Sequence, residues 1–199
     1  MNTDFTKNAE LNADPSAYIS LHTAYSATGA NEVSGGTTAY ARKAATWGAA
    51  SAGSRALSAA VTFDVPGDAI TPVVVNFVGR FDALTAGNFC GMSALGGGEK
   101  KFSVDLTANT IIEPAHGRAN GSRVVFLGGT APGGLTAGTI YFVVGAATDT
   151  FQVAATSGGA AIDLTAHPSA GCVVSTLVPQ QYTSQGTLQI TSFPLSAAG

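Results

Sequence analysis

Apolar and polar residues alternate with a period of two in several short segments of the chain. The alternation is clear in the ranges 61–65 and 101–106, and shorter versions occur at 151–153 and 162–164. Because successive side chains of a strand point to opposite faces, each segment predicts a strand with one buried and one exposed face. A fold rich in strands is therefore expected.

Apolar runs form a second pattern. They cover 73–78, 124–127 and 140–144, are rich in β-branched and aromatic residues, and are bounded by Gly or Pro. Runs of this length and composition predict strands that are covered on both faces.

Helical patterns are scarce. The segment "DFTKNAELNADP" (4–15) could form one or two capped turns before Pro15, and "AASAGSRALSAA" (49–60) is rich in Ala but interrupted by Gly53. Neither carries a sustained apolar stripe, so the pattern leaves both helices open. Roughly ten short strands separated by turn clusters predict an all-β fold, either a sandwich or a barrel.

Two tracts of turn residues divide the chain. They are "EPAHGRANG" (113–121) and "AHPSAG" (166–171), with predicted strands between them at 123–127, 139–144, 150–154 and 161–164. The tail "QGTLQITSFPL" (185–195) predicts one more strand without a nearby partner, and an unpaired edge is normally covered. We therefore predict a β-sandwich or barrel-like host domain of residues 1–112 plus 176–199, with a small inserted β-module at 113–175.

Charge is sparse. Charged residues make up 11% of the chain against 45% hydrophobic residues, and the net charge is −3 with nine Lys and Arg. A surface with few charges resists association poorly, which predicts a homo-oligomer. Without a basic cluster, nucleic acid is not an expected partner. No apolar run is long enough for a membrane span, and the first 15 residues do not resemble a secretory signal, so synthesis in the cytoplasm is expected.

Metal and thiol chemistry have little support. Cys90 and Cys172 are far apart in the sequence and predict two buried free thiols. His116 and His167 flank the predicted module and could approach each other, but Glu113 is the only carboxylate nearby. No metal and no cofactor are therefore predicted.

The polar stretch 20–48 is the strongest candidate for a site, and its residues favour a structural role. His22 lies in a predicted strand without a nucleophile in local reach, which favours a hydrogen-bonded strand histidine over a base or ligand. Glu32 and Arg42 predict an ion pair that fixes the loop to the next strand. Asn31 and the pair at 35–36 suit tight turns, and the loop lacks the Lys-Ser/Thr step of a phosphate loop.

The remaining candidates are dispersed. The acids form no pair of the glycosidase type and no hydrolase motif, and the aromatic residues favour core or interface packing over a sugar-stacking platform. These acids are Asp64, Asp68, Asp82, Asp105, Asp149 and Asp163, and these aromatic residues are Trp47, Tyr18, Tyr25, Tyr40, Tyr141 and Tyr182. No catalytic, cofactor-binding or metal-binding residue is assigned. The turn tips "GGTAPGG" (128–134) and "TSGG" (156–159) remain open to receptor contact.

Several separated motifs carry a family resemblance. The segments "YISLHTA", "TGANEVSGGTTAYAR", "AVTFDVP", "VGRFDALTAGNF" and "GTLQITSFPL", in that order, resemble small virion proteins of tailed bacteriophages that are labelled tail-fibre or minor tail proteins. The range 121–165 resembles a β-module of phage structural proteins. "AYSA" at 24–27 and Arg80 depart from the family pattern in a turn and in one strand position.

This resemblance implies a non-enzymatic structural protein of the virion, assembled in the cytoplasm of the host bacterium. Its expected partners are other copies of itself, tail or major capsid proteins, and a host surface receptor. A capsid decoration protein is the alternative, and a carbohydrate-binding or depolymerase module is the weaker one.

Overall fold

The computed structural model describes residues 3–196, and strands predominate in it. The described residues contain one α-helix, α1 (Asp4–Asn12), which lies in the first of the two segments whose helicity the sequence left open. It begins at Thr3, whose side chain accepts a hydrogen bond from the Thr6 amide at 3.4 Å. The second segment, 49–60, is not helical and contains a short strand instead. With nine residues, α1 is too short to span a membrane.

Sixteen strands follow α1 in the described residues, which confirms the all-β fold. They are β1 (Tyr18–His22), β2 (Lys43–Ala44), β3 (Ser54–Ala56), β4 (Val61–Val65), β5 (Val73–Val75), β6 (Phe77–Phe81), β7 (Phe89–Ala94), β8 (Ser103–Asp105), β9 (Thr110–Ile112), β10 (Arg123–Leu127), β11 (Ile140–Val144), β12 (Thr150–Ala154), β13 (Val173–Leu177), β14 (Gln180–Tyr182), β15 (Gly186–Ile190) and β16 (Pro194–Ser196).

The chain divides into two compact units. The split unit comprises residues 1–92 together with 180–199, and the central unit comprises 93–179. The sequence analysis placed the boundaries at 112/113 and 175/176, whereas the two units divide at 92/93 and 179/180. The difference arises because β9 pairs with β12 and β8 pairs with β9. These two strands therefore belong to the central unit, although the sequence analysis assigned them to the host domain.

The split unit consists of one antiparallel sheet and three separate ladders. The sheet has the order β2-β1-β6-β7, and the two-stranded ladders are β14-β5, β15-β4 and β16-β3. The tail returns as predicted, because β15 pairs with β4 along its whole length, from Gly186 opposite Val65 to Ile190 opposite Val61. The alternation predicted for β4 is confirmed, with its three apolar side chains buried.

One apolar run of the split unit does not form a single strand. Asn76 interrupts the run 73–78, because its amide nitrogen donates to the Thr23 carbonyl at 2.6 Å and its backbone N–H donates to the His22 carbonyl at 2.9 Å. The run therefore becomes two strands that pair with different partners.

The central unit is one six-stranded sheet whose two edges are joined. Its order is β13-β10-β11-β12-β9-β8. Lys100, just before β8, exchanges two backbone hydrogen bonds of 2.9 Å with Val174 of β13 at the opposite edge. All six strands contribute side chains to one buried cluster. The sheet thus closes into a ring around a single core, as in small β-barrels.

Two predictions for the central unit need correction. The segment 161–164 is not a strand; isolated bonds hold it instead, from the Ile162 amide to the Val153 carbonyl at 2.8 Å and from the Leu164 amide to the Asn109 side chain at 2.9 Å. The run 140–144 is not covered on both faces, because only Tyr141 and Val143 are buried. The run 124–127 is buried on both faces, as predicted.

The flanks of the central unit lie side by side. The Val178 amide donates to the Leu95 carbonyl at 2.7 Å, close to the two points where the chain enters and leaves the unit.

Candidate functional site

The centre of the candidate site is His22, at the end of β1. The residue is fully buried, with Nδ1 2.9 Å from the Ala30 carbonyl oxygen and Nε2 2.8 Å from Ser20 Oγ. A carbonyl can only accept, so Nδ1 carries the proton and Nε2 of the neutral ring accepts from the Ser20 hydroxyl. Burial lowers the pKa of His22, which favours this neutral form. The prediction of a hydrogen-bonded strand histidine is confirmed.

The Ser20–His22 contact has the geometry of a nucleophile beside its base. The prediction that no nucleophile lies within reach of His22 is therefore wrong. Both side chains are nevertheless fully buried. Gly79 lies opposite Ser20 in the adjacent strand, and a Cβ atom at that position would overlap with both side chains. A substrate has no access to the pair, which acts as a packed hydrogen-bonded unit.

Arg42 joins the polar loop, residues 23–42 between β1 and β2, to the turn after β6. Its Nε lies 3.1 Å from both carboxylate oxygens of Glu32, and Nη2 lies 2.9 Å from Oε2, which confirms the predicted ion pair. Nη1 donates to the carbonyls of Ala83 at 3.1 Å and Ala86 at 2.6 Å. The guanidinium also lies 3.3 Å from the centre of the Phe81 ring. Arg42 therefore fixes three segments with one planar group.

Tyr40 links the same loop to β1. Its Oη accepts a hydrogen bond of 2.7 Å from the Leu21 amide and donates to Glu32 Oε1 at 3.3 Å. Burial raises the pKa of Tyr40, so the hydroxyl keeps the proton that it donates. Its ring stacks on Phe63 at 6.1 Å between centroids.

The far side of the loop is held by a residue from the end of the chain. Gln185 accepts from the amides of Thr37 at 2.7 Å and Thr38 at 3.2 Å, and its Nε2 donates to the Thr38 carbonyl at 2.9 Å. Gly35 and Gly36 take positive φ angles of 85° and 100° beside these contacts, as the predicted tight turn requires. The polar loop is therefore held on one side by the contacts of Arg42 and on the other by those of Gln185.

The polar loop and the turn after β6 line an open groove of about 460 Å³ within the split unit. The lining residues are Glu32, Val33, Ser34, Gly35, Tyr40, Ala41, Arg42, Leu84, Thr85 and Ala86. Glu32 and Arg42 are the only charged groups in this lining, and they neutralise each other. The groove therefore suits an apolar or uncharged group better than an ion.

The other two histidines are not brought into a site. His116 Nδ1 accepts from the Arg118 amide at 2.9 Å, and Nε2 lies 3.2 Å from the Thr150 carbonyl, to which it donates. Glu113, the carboxylate nearest in sequence, forms a buried ion pair with Arg118. His167 is exposed in a turn. Within residues 3–196 no group of three or more His, Cys, Asp or Glu could hold a metal ion.

Four of the six dispersed acids fix turns. Asp68, Asp82, Asp105 and Asp149 each accept at least one backbone N–H. Hydrogen bonds from the backbone of Thr71 and Ile70 lower the pKa of Asp68, and those from Asn88 lower the pKa of Asp82. Asp64 lies 3.8 Å from Lys43, and Asp163 is exposed.

Five of the predicted aromatic residues have contacts within their own unit. Trp47 donates to the Ser16 carbonyl at 2.6 Å and packs on Phe193, in agreement with the packing role that the sequence analysis favoured for it. Tyr25, Tyr40 and Tyr141 contact Phe rings, and Tyr182 donates to the Thr187 carbonyl. Of the two free thiols, Cys172 is buried and Cys90 is half-buried. Burial raises the pKa of Cys172 to about 11.

Arg80, the residue that departs from the family pattern, has a structural role. It donates to Asp14 at 2.9 Å and to the Cys90 carbonyl at 3.0 Å, and so ties the segment after α1 to β6 and β7.

A family model matches the first part of the chain. Residues 3–110, more than half of the 199-residue chain, match the family model described as Podophage GP4 fiber I protein gp80. No curated protein and no solved structure matches the chain. The match covers the polar loop, the groove and α1, and it confirms the resemblance to phage tail-fibre proteins in this general form. The chain therefore belongs to the podophage GP4 fibre I protein gp80 family and is a fibre-type structural protein of a bacteriophage virion.

Proposed function

We propose that the protein is a non-enzymatic fibre subunit that associates with copies of itself through the split unit and presents the central unit on the particle surface. The observation that carries this proposal is the open hydrogen bonding of the split unit. Its three ladders each have only two strands, and two strands alone are marginally stable in water. Their unpaired edges favour pairing with another chain.

The ladder of β4 and β15 shows the feature most clearly. Val61, Phe63, Val65 and Ile190 are buried on one face, whereas Thr62, Thr187 and Gln189 lie exposed on the other. Among the described residues no third strand pairs with either long edge. A neighbouring copy can supply that strand through backbone hydrogen bonds alone.

Exposed apolar side chains support the same proposal. Phe5 is 83% exposed, Ile70 is 91% exposed and Leu84 is 49% exposed, all in the split unit. With only 11% charged residues, repulsion between copies is weak. Burial of such side chains against a neighbour is favourable.

The central unit suits display because its ring has no open edge between β13 and β8. In this proposal the turn tips at 128–134 and 156–159 meet a host receptor or another virion protein, since loops on a rigid scaffold commonly carry recognition. Assembly with other virion proteins takes place in the cytoplasm of the host bacterium. The inaccessible Ser20–His22 pair supports the absence of catalysis.

Sedimentation velocity of the purified chain tests the proposal. We expect a closed oligomer that dissociates on dilution. Thr187→Lys with Gln189→Lys places two charges on the exposed face of β15, and we expect it to weaken association because charges on an edge oppose pairing. Ala147→Lys, at an exposed turn position of the central unit, is the matched control. A wild-type chain that stays monomeric at all concentrations would refute self-association.

A further inference from the structure

A seven-residue loop projects from the split unit and carries a large apolar side chain that is almost fully exposed. Residues 66–72 connect β4 to β5, and the opposing segment that connects β14 to β15 has only three residues, 183–185. The loop therefore bulges out at the junction between the β15-β4 ladder and the β14-β5 ladder. Ile70 lies in this loop with 91% of its surface exposed.

The base of this loop is fixed. Pro66 is buried, and Gly67 lies so close to the backbone of Ser184 that a Cβ atom has no room there. Asp68 Oδ1 accepts hydrogen bonds from the amides of Ile70 at 2.7 Å and Thr71 at 3.0 Å. The isoleucine is thus held in water by a defined turn, although its burial would be favourable.

The groove described above lies beside this loop. Gly35 lines the groove, and a Cβ atom on the adjacent Gly36 would lie 3.3 Å from Pro66 Cβ. Gln185, which accepts from the Thr37 amide two residues after Gly35, is the neighbour of Ser184, which lies against Gly67 at the base of the 66–72 loop. The projection and the groove therefore occupy adjoining parts of one surface of the split unit.

We infer that Ile70 of one copy inserts into the groove of a second copy, against Leu84 and Val33. This inference rests on the proposed self-association and names its contact. An uncharged side chain matches a groove whose two charges cancel, and 460 Å³ admits an isoleucine together with neighbouring atoms of its loop. Because the projection and the groove adjoin, each copy can both donate and receive the side chain across a two-fold axis.

The test measures the dissociation constant of the oligomer in four variants. Ile70→Asp and Leu84→Asp should each raise it by about 100-fold or more, because a two-fold pair of either variant loses the burial of one large aliphatic side chain at each of its two contacts. Ile70→Val keeps an apolar branched side chain, loses one methylene group at each contact and should raise it by less than about 15-fold. Val178→Asp alters a similarly exposed aliphatic residue of the central unit and is the matched control. Ile70 and Leu84 are exposed within a single copy, so unfolding midpoints measured at concentrations where the chain is monomeric should not change.

Mixing the two Asp variants sharpens the test. The Leu84→Asp chain retains its isoleucine and the Ile70→Asp chain retains its groove, so the mixture can form one correct contact that neither variant forms alone. We expect mixed oligomers to be tighter than either homo-oligomer.

Failure of the inference is distinguishable from failure of the proposed function. If the wild-type chain associates and both Asp variants associate equally well, the inference is wrong and self-association stands. If Ile70→Asp oligomerises normally but is absent from assembled particles, another virion protein occupies that position and the inference is likewise wrong. If the wild-type chain is monomeric, both fail.

Discussion

The two units are built from the same kind of short antiparallel strands but complete their hydrogen bonding differently. In the central unit, Lys100 connects the two edges of a six-stranded sheet, and all six strands supply one core. In the split unit, eight of the ten strands that begin there lie outside or at the edge of the four-stranded sheet. Both units are rich in strands, so strand content does not distinguish them. What differs is that the hydrogen bonding of the central sheet closes on itself, whereas the split unit keeps strand edges that are not paired within it.

The largest expected effect is on the closed core. Phe126→Ala removes a fully buried ring from the central unit and should lower the free energy of unfolding by about 3–5 kcal/mol. Hydrogen exchange should show reduced protection in all six strands of the ring, whereas Phe63→Ala should reduce it mainly in the β4-β15 ladder. Phe5→Ala, at an exposed position, is the control and should have almost no effect. Loss confined to β10 in Phe126→Ala would contradict a single cooperative ring.

Removing one ion pair from each unit should give a smaller difference in stability between the units. Glu113→Gln leaves Arg118 charged and buried, and should lower the free energy of unfolding by about 3 kcal/mol. Glu32→Gln weakens a more exposed pair whose arginine keeps two carbonyl acceptors, and should cost only about 1 kcal/mol. Urea unfolding at pH 7 measures both. Equal losses would show that burial does not set the difference.

The smallest effect is a pH dependence in the split unit. Because the pKa of His22 is lowered in the folded chain, the unfolded state binds more protons below pH 6.5. The contribution of His22 is therefore fully present above pH 6.5 and is lost as the pH falls below that value. The pKa of Asp14 is also lowered, because bonds from Ser16 and Arg80 outweigh its burial, but its contribution is lost only below pH 3.8.

Urea midpoints between pH 5 and 7.5, followed by the fluorescence of Trp47, test this dependence, since Trp47 is the single tryptophan and lies in the split unit. His22→Gln should reduce the slope of stability against pH. An unchanged slope in that variant would assign the dependence to other groups.

Local pattern predicted much of the fold and little of its closure. The alternation in 61–65 and 101–106 fixed which side chains are buried, since period two depends only on the pleat. The run 73–78 failed at Asn76 because the pattern does not show that an amide side chain finds a backbone acceptor at Thr23. The bond from Lys100 to β13 and the contact of Gln185 with the polar loop join distant parts of the chain, where no local signal exists.

One contact in the candidate site could have been found. Ser20 and His22 are two residues apart in a strand, so their side chains share a face and can bond. The ion pair of Glu32 and Arg42 was predictable from opposite charges across a turn, whereas the carbonyls of Ala83 and Ala86 that complete the shell of Arg42 were not.

The bond between Val178 and Leu95 has a consequence for how such chains change over time. Where the two ends of a segment touch, replacing everything between them with another fold, or with a short turn, leaves the flanking chain on its original path. Under the proposed assembly, a fibre built this way can exchange its displayed unit without rebuilding the unit that joins its neighbours.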